Sequence, residues 1–210
     1  MPTCGFYGKL PSQGDFLTRR LPWEFTAAWD DWLQQGMLAS REALGERWLE
    51  LYLSAPIWRF QLAPGVCGPL GWRGVFFASV DRVGRYFPLT LAFPGAPAAP
   101  GARPGVGVSP SLANDEARWF AAEEAALAGL DPLLPIDDFD RALQALAEPS
   151  AEAPDAGADA GAGVHFFCAG AEEAPPLRLA FPGLPDPKVF VELIVPSAPP
   201  PSSLLDALAS

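Results

Sequence analysis

Ile57-Trp58-Arg59-Phe60-Gln61-Leu62, Trp72-Arg73-Gly74-Val75-Phe76-Phe77-Ala78-Ser79-Val80 and Tyr86-Phe87-Pro88-Leu89-Thr90-Leu91-Ala92-Phe93 decide the fold class. Their period-two alternation and their wealth of β-branched and aromatic side chains read as three strands. The connector between the last two, Asp81-Arg82-Val83-Gly84-Arg85, is five residues with a glycine, which suits an antiparallel hairpin loop. It brings two arginines and an aspartate to one sheet edge. Antiparallel strands beside helical segments, without regular strand-helix-strand alternation, predict an α+β fold: a single domain with a central, mainly antiparallel sheet flanked by helices.

Upstream, residues 4–17 begin as a short strand and then turn at Pro11, Ser12, Gly14 and Asp15, pointing a lysine (Lys9) and an aspartate outward. Pro22 suits a first helical position. Behind it Phe25, Ala28, Trp29, Trp32, Leu33 and Gly36 mark an amphipathic helix whose aromatic stripe belongs to the core. Leu44, Trp48, Leu51 and Tyr52 mark a second helix, ending before Pro56, which disfavours helical backbone in the residue ahead of it.

Downstream, the Pro/Gly/Ala-rich residues 94–110 read as a linker or long loop, 111–130 as a helix and 137–147 as a shorter helix with Phe139, Leu143 and Leu146 on one side. Residues 148–163 hold no apolar anchor larger than alanine and read as a mobile acidic loop. Val164 to Cys168 and Val189 to Val195 read as strands, before a proline-rich tail that carries Leu204, Leu205 and Leu208.

Half of the 210 residues are apolar and 11% are aromatic, enough large side chains to offset the chain entropy of folding. The net charge is −11 and is uneven: residues 1–90 carry nine Lys/Arg against eight Asp/Glu, and the remainder five against seventeen. Binding to a phosphate backbone requires a basic patch, so nucleic acid is excluded as a partner. Cys4, Cys67 and Cys168 are odd in number, far apart and without zinc spacing, as expected of buried free thiols in a reducing compartment. No run approaches the ~20 apolar residues of a membrane helix and no signal segment precedes the domain, so the expected location is the cytoplasm, with no membrane insertion.

Little in the sequence announces chemistry. Gly5-Phe6-Tyr7-Gly8-Lys9-Leu10 lacks both the four-residue spacing and the Ser/Thr of a phosphate-binding loop, and reads as a strand end whose glycines allow close backbone packing. The single histidine, His165, lies in an apolar strand, and no nucleophile elbow accompanies it. Asp137, Asp138 and Asp140 lack the glycine and glutamate of a calcium loop and read as an acid-rich helix N-terminus. No cofactor or metal site is expected.

Asp15, Arg59, Asp81, Arg82 and Arg85 can form a charged network at one end of the sheet. One reading is a partner-binding surface, with arginines for bidentate contacts and aromatics for area. The other is a set of intramolecular ion pairs holding the N-terminal turn against the hairpin, and the two are compatible.

Gly5-Phe6-Tyr7-Gly8-Lys9-Leu10-Pro11-Ser12-Gln13-Gly14-Asp15-Phe16, then Ala55-Pro56-Ile57-Trp58-Arg59-Phe60, then Asp81-Arg82-Val83-Gly84-Arg85-Tyr86-Phe87-Pro88-Leu89-Thr90 resemble, in that order, the signature of the TagF (ImpM) family. On that resemblance, residues 1–95 are the motif-bearing region and 96–210 continue the same domain through helices, acidic loop and proline-rich tail.

The resemblance implies an accessory protein of type VI secretion, without enzymatic activity, that restrains assembly or firing after translation by engaging a cytosolic forkhead-associated scaffold protein. Some relatives resemble fusions to a PP2C-type phosphatase. No matching metal-binding aspartate motif occurs here, so a phosphatase is expected to be a separate protein. The family supplies no binding residues. Exposed charge beside aromatics nominates Lys9, Ser12, Asp15, Phe16, Arg59, Asp81, Arg82 and Arg85 as partner-binding. The rival readings are a small hydrolase or phosphate-ester enzyme using Asp15, Arg59, Asp81 and Arg85 with Lys9 on phosphate, and a structural subunit of the secretion machine.

Overall fold

Aromatic and β-branched residues at alternating positions give each strand two usable faces, and here both are covered. The computed structural model describes residues 3–97, 116–146, 163–168 and 176–196. Its strands are β1 (Gly5–Gly8), β2 (Leu17–Arg19), β3 (Trp58–Leu62), β4 (Leu70–Phe77), β5 (Leu89–Pro97), β6 (Val164–Cys168) and β7 (Leu177–Phe181). They form one seven-stranded sheet in the order β2-β1-β5-β4-β3-β6-β7. Every neighbouring pair is antiparallel.

Helices α1 (Trp23–Leu44), α2 (Trp48–Leu53) and α5 (Phe190–Ile194) pack on one face of the sheet. The expected aromatic stripe is buried there: Phe25, Trp29 and Trp32 meet Phe60, Trp72, Phe76 and Phe166, with Trp48 and Tyr52 alongside. Trp29 Nε1 donates to Thr90 Oγ1 at 3.0 Å and Trp58 Nε1 to the Leu193 carbonyl at 2.7 Å, whereas the buried Trp72 Nε1 has no acceptor among the described residues. On the other face α3 (Glu116–Ala128) and α4 (Ile136–Ala145) cover Phe6, Val75, Phe77, Leu89, Leu91 and Phe93 with Trp119, Phe139 and Leu143. The α+β reading with a central antiparallel sheet flanked by helices therefore describes the molecule.

Several boundaries differ from the sequence reading. Residues 189–195 are not a strand: a 3₁₀ turn, Pro187–Val189, leads into α5. Asp186 Oδ1 accepts from the Lys188 amide at 2.9 Å, and Phe190, Leu193 and Ile194 are buried at helical spacing. The cap followed by proline outweighs the β-branched composition.

Leu44, read as the first position of the second helix, ends α1 instead, and Gly36 lies within α1. The lack of a side chain at Gly36 makes room for Phe190, whose ring would lie 2.5 Å from an added Cβ. β5 starts only at Leu89 and continues through Pro94 and Pro97, which were expected in a loop. Beyond Ala92 it pairs with β4 alone, an edge where a proline costs no ladder bond. Likewise β4 ends at Phe77 instead of Val80, and Tyr86 joins Val80 only as an isolated bridge.

β2 and β7, both edge strands, were not anticipated. Residues 98–110 of the expected linker, 111–115 of the expected helix, most of the acidic loop and the tail with Leu204, Leu205 and Leu208 lie outside the described residues.

Candidate functional site

The turn after β1 and the loop between β4 and β5 meet at one end of the sheet. Asp81 is 2% exposed. Its Oδ2 accepts from Lys9 Nζ and from Arg85 Nε, each at 2.6 Å, while Oδ1 accepts from the Val83 amide at 3.0 Å and the Arg85 amide at 2.9 Å. Burial alone raises the pKa of such a carboxyl, but Lys9, both Arg85 donors and the Val83 amide outweigh it and hold Asp81 well below the usual carboxylate range. Gly84, at φ +85°, closes the turn, and its amide donates to the Asp81 carbonyl at 3.0 Å. One carboxylate thus fixes the whole five-residue loop.

The N-terminal turn is stitched to it. The Arg82 amide donates to the Gln13 carbonyl at 2.8 Å, and the Arg85 guanidinium donates to the Gly14 carbonyl and reaches Asp15 Oδ1 at 4.0 Å. Ser79 Oγ donates to the Lys9 carbonyl at 2.7 Å, and Tyr52 exchanges hydrogen bonds with the Ser79 backbone. Lys9 Nζ sits 4.8 Å from the centre of the Phe16 ring, which packs edge-on to Phe87 at 4.8 Å and stacks on Tyr7. Tyr7 in turn donates to Asp30 on α1; burial, then that carboxylate, push its hydroxyl above the ordinary phenol value.

The result is a rigid shelf with Arg82, Val83, Arg85, Asp15 and Phe16 exposed and Ser12 half-buried. Two expectations are corrected here. Lys9 does not point outward but is 4% exposed beneath the shelf, because Asp81 draws its ammonium inward. Asp81 is likewise a buried hub and not an exposed edge group.

Arg59 lies elsewhere. It projects from β3 towards α3, where Nε donates to Glu123 Oε1 at 2.6 Å and Nη1 to Glu116 Oε1 at 2.8 Å, between the rings of Trp119 and Phe167. Burial opposes its charge, but the two glutamates outweigh that and raise its pKa. The Asp15/Arg59/Asp81/Arg85 cluster of the hydrolase reading therefore does not assemble, and Lys9 is already committed to Asp81. Val83, 66% exposed, was missed; an apolar residue at the tip of a polar hairpin was its only signal.

His165 is buried in β6, and Cys4, Cys67 and Cys168 are buried free thiols, as read from the sequence. Burial pushes the Cys4 and Cys67 thiols up to about 12, with Arg20 opposing it at Cys4. Among the described residues no helix is long and apolar enough to cross a membrane, and no three His, Cys, Asp or Glu side chains are grouped to hold a metal ion.

The profile of the TagF N-terminal domain, type VI secretion system-associated, matches residues 5–146. Among solved structures, the crystal structure of PA0076 from Pseudomonas aeruginosa PAO1 superposes with a TM-score of 0.79 at 30% identity, covering 94% of this chain and 96% of that one. No curated protein sequence matches the chain. The matched span holds the β1 turn, the start of β3 and the shelf loop, the three segments that carried the resemblance, and with more than half of its length inside that profile the chain belongs to the TagF family, associated with type VI secretion.

Proposed function

We propose that the protein is a non-catalytic regulator in the cytoplasm that represses a type VI secretion system after translation, by binding a forkhead-associated scaffold protein through the Arg82-Val83-Arg85 shelf. The observation that supports this reading is the pre-organisation of the loop by Asp81, with four hydrogen bonds to one carboxylate. A loop already held in one shape loses little conformational freedom on binding, so its exposed arginines and Val83 can contribute to affinity instead of to ordering. Arg82 and Arg85 supply charge for orientation, and Val83 with Phe16 supplies apolar area.

The test is a pulldown from cytosolic extract of a type VI-competent strain with wild type and with Arg82→Glu/Val83→Asp. Both side chains are exposed and neither holds Asp81, so circular dichroism and the melting temperature should match wild type. Retention of the forkhead-associated protein by wild type and its loss in the variant support the reading. Equal retention by both removes the shelf from it, and retention by neither sinks the partner assignment.

A further inference from the structure

Helix α3 is apolar on two sides. Trp119, Ala122 and Ala126 face the sheet and are buried. Phe120 and Leu127 are 60% and 45% exposed. Seven residues apart, they lie two turns apart on one ridge; the exposed Ala117, Ala121 and Ala128, about 60–100° round the axis from Phe120 and beyond Glu124, have side chains small enough for another backbone to come close. A surface helix ordinarily turns polar residues outward, and one apolar on both sides is ordinarily covered on both.

The ridge of Phe120 and Leu127 is bordered by acids on both sides, and Arg118 stands beyond the alanines. Helical spacing puts Glu116 and Glu123 on one flank and Glu124 on the other. Arg59 engages the first two, whereas Glu124 has no ion pair among the described residues. The one cation of the helix, Arg118, is about 160° round the axis from Phe120. Just past the helix, Asp131 and the exposed Leu133 repeat the combination of acid and apolar side chain.

We propose that this outer face of α3 is a docking site for a basic amphipathic helix of a partner protein, with Phe120 and Leu127 as anchors and Glu124 as the charge that selects it. A second copy of this chain fits less well: an antiparallel pairing that sets Phe120 against the copy's Leu127 brings Glu124 beside the copy's Glu123 and Glu124, a like-charge contact. An anionic membrane surface is disfavoured by the same carboxylates. The site is separate from the Asp81 shelf and stands or falls without it.

The test uses a synthetic helical peptide of about 18 residues, long enough for five turns, with Leu and Ala in an i, i+4, i+7 stripe and Lys on its flanks, and a twin with every Lys replaced by Glu. Each is titrated into the full chain by fluorescence anisotropy, and hydrogen exchange locates the protected amides. The Lys peptide should bind at least about tenfold more tightly than its twin and protect residues 116–133. Phe120→Ser/Leu127→Ser should lose at least about tenfold in affinity with an unchanged circular dichroism spectrum, and Glu124→Lys should erase the preference for Lys.

Equal binding of the two peptides, no binding, protection elsewhere, or wild-type affinity in the double variant would overturn the proposal. So would sedimentation showing a dimer that Phe120→Ser/Leu127→Ser abolishes, or capture on phosphatidylserine vesicles that the same variant abolishes, since either names a different occupant.

Discussion

Asp81 is an ion that folding removes from water and surrounds with donors, so its protonation is linked to stability. Its folded pKa lies below the unfolded value, so the unfolded chain binds the extra proton first as the pH drops. The Asp81 contribution is therefore complete above about pH 4, where a free aspartate ionises, and is lost on acidification towards the depressed folded value. Asp81→Asn keeps the shape but removes the charge that satisfies Lys9. It should melt well below wild type at pH 7, and the gap should narrow steadily below about pH 4. A gap independent of pH would mean that Asp81 acts by geometry alone. The burial of Lys9 was not legible in the sequence, because a lysine in a glycine- and proline-rich turn reads as solvated. Its partner is 72 positions away and only the hairpin's return brings it near.

Helix α3 depends on Arg59 in a way that helix propensity does not reveal. The helix contributes few large side chains to its core, so the Arg59 clamp on Glu116 and Glu123 carries much of its attachment. Arg59→Ala leaves Glu123 partly buried without its cation and should cost about 2–4 kcal/mol, at or below the range for breaking a buried pair because Glu116 is half in water. Glu116→Gln, at the exposed end of the clamp, should cost less than about 1 kcal/mol. Urea titrations compare the two, and equal losses would remove Arg59 as the clamp.

On the opposite face Gly36 admits Phe190 against α1. Gly36→Ala gains up to about 1 kcal/mol in helix propensity but overpacks a full interface, at about 1–3 kcal/mol. A net loss of stability is expected, and a stabilised variant would show that α5 yields easily. Elements with long periodic patterns, α1 and β3 to β5, were legible because period alone identifies them. α5 was not, since five residues are too few for a period to outweigh Val and Ile. The three-residue β2 exists only because β1 offers it an edge.

Sheet position is where the whole molecule exceeds its sequence. The reading placed β1, β3, β4, β5 and β6 and a hairpin, but not the order that sets β1 beside β5 and β6 beside β3, because strand order follows from long-range pairing and not from local pattern. The site was half legible for the same reason: the shelf residues are near one another in sequence-coded turns, whereas Arg59 left the cluster because the pleat turned it to the α3 face. That pleat also makes the two cores interdependent. Along β4, Trp72 and Phe76 feed one core, and Val75 and Phe77 the other, so neither face can come apart without loosening strands the other needs. Phe166→Ala, in the α1 core, and Phe139→Ala, in the α4 core, should each cost about 3–5 kcal/mol. Both should shift a single thermal transition in which tryptophan fluorescence and far-ultraviolet circular dichroism coincide, as two-state unfolding requires. If Phe139→Ala instead splits off an earlier step seen at Trp119 while Trp29 and Trp32 remain buried, α3 and α4 form a layer that opens by itself, and the shared sheet does not couple the two faces.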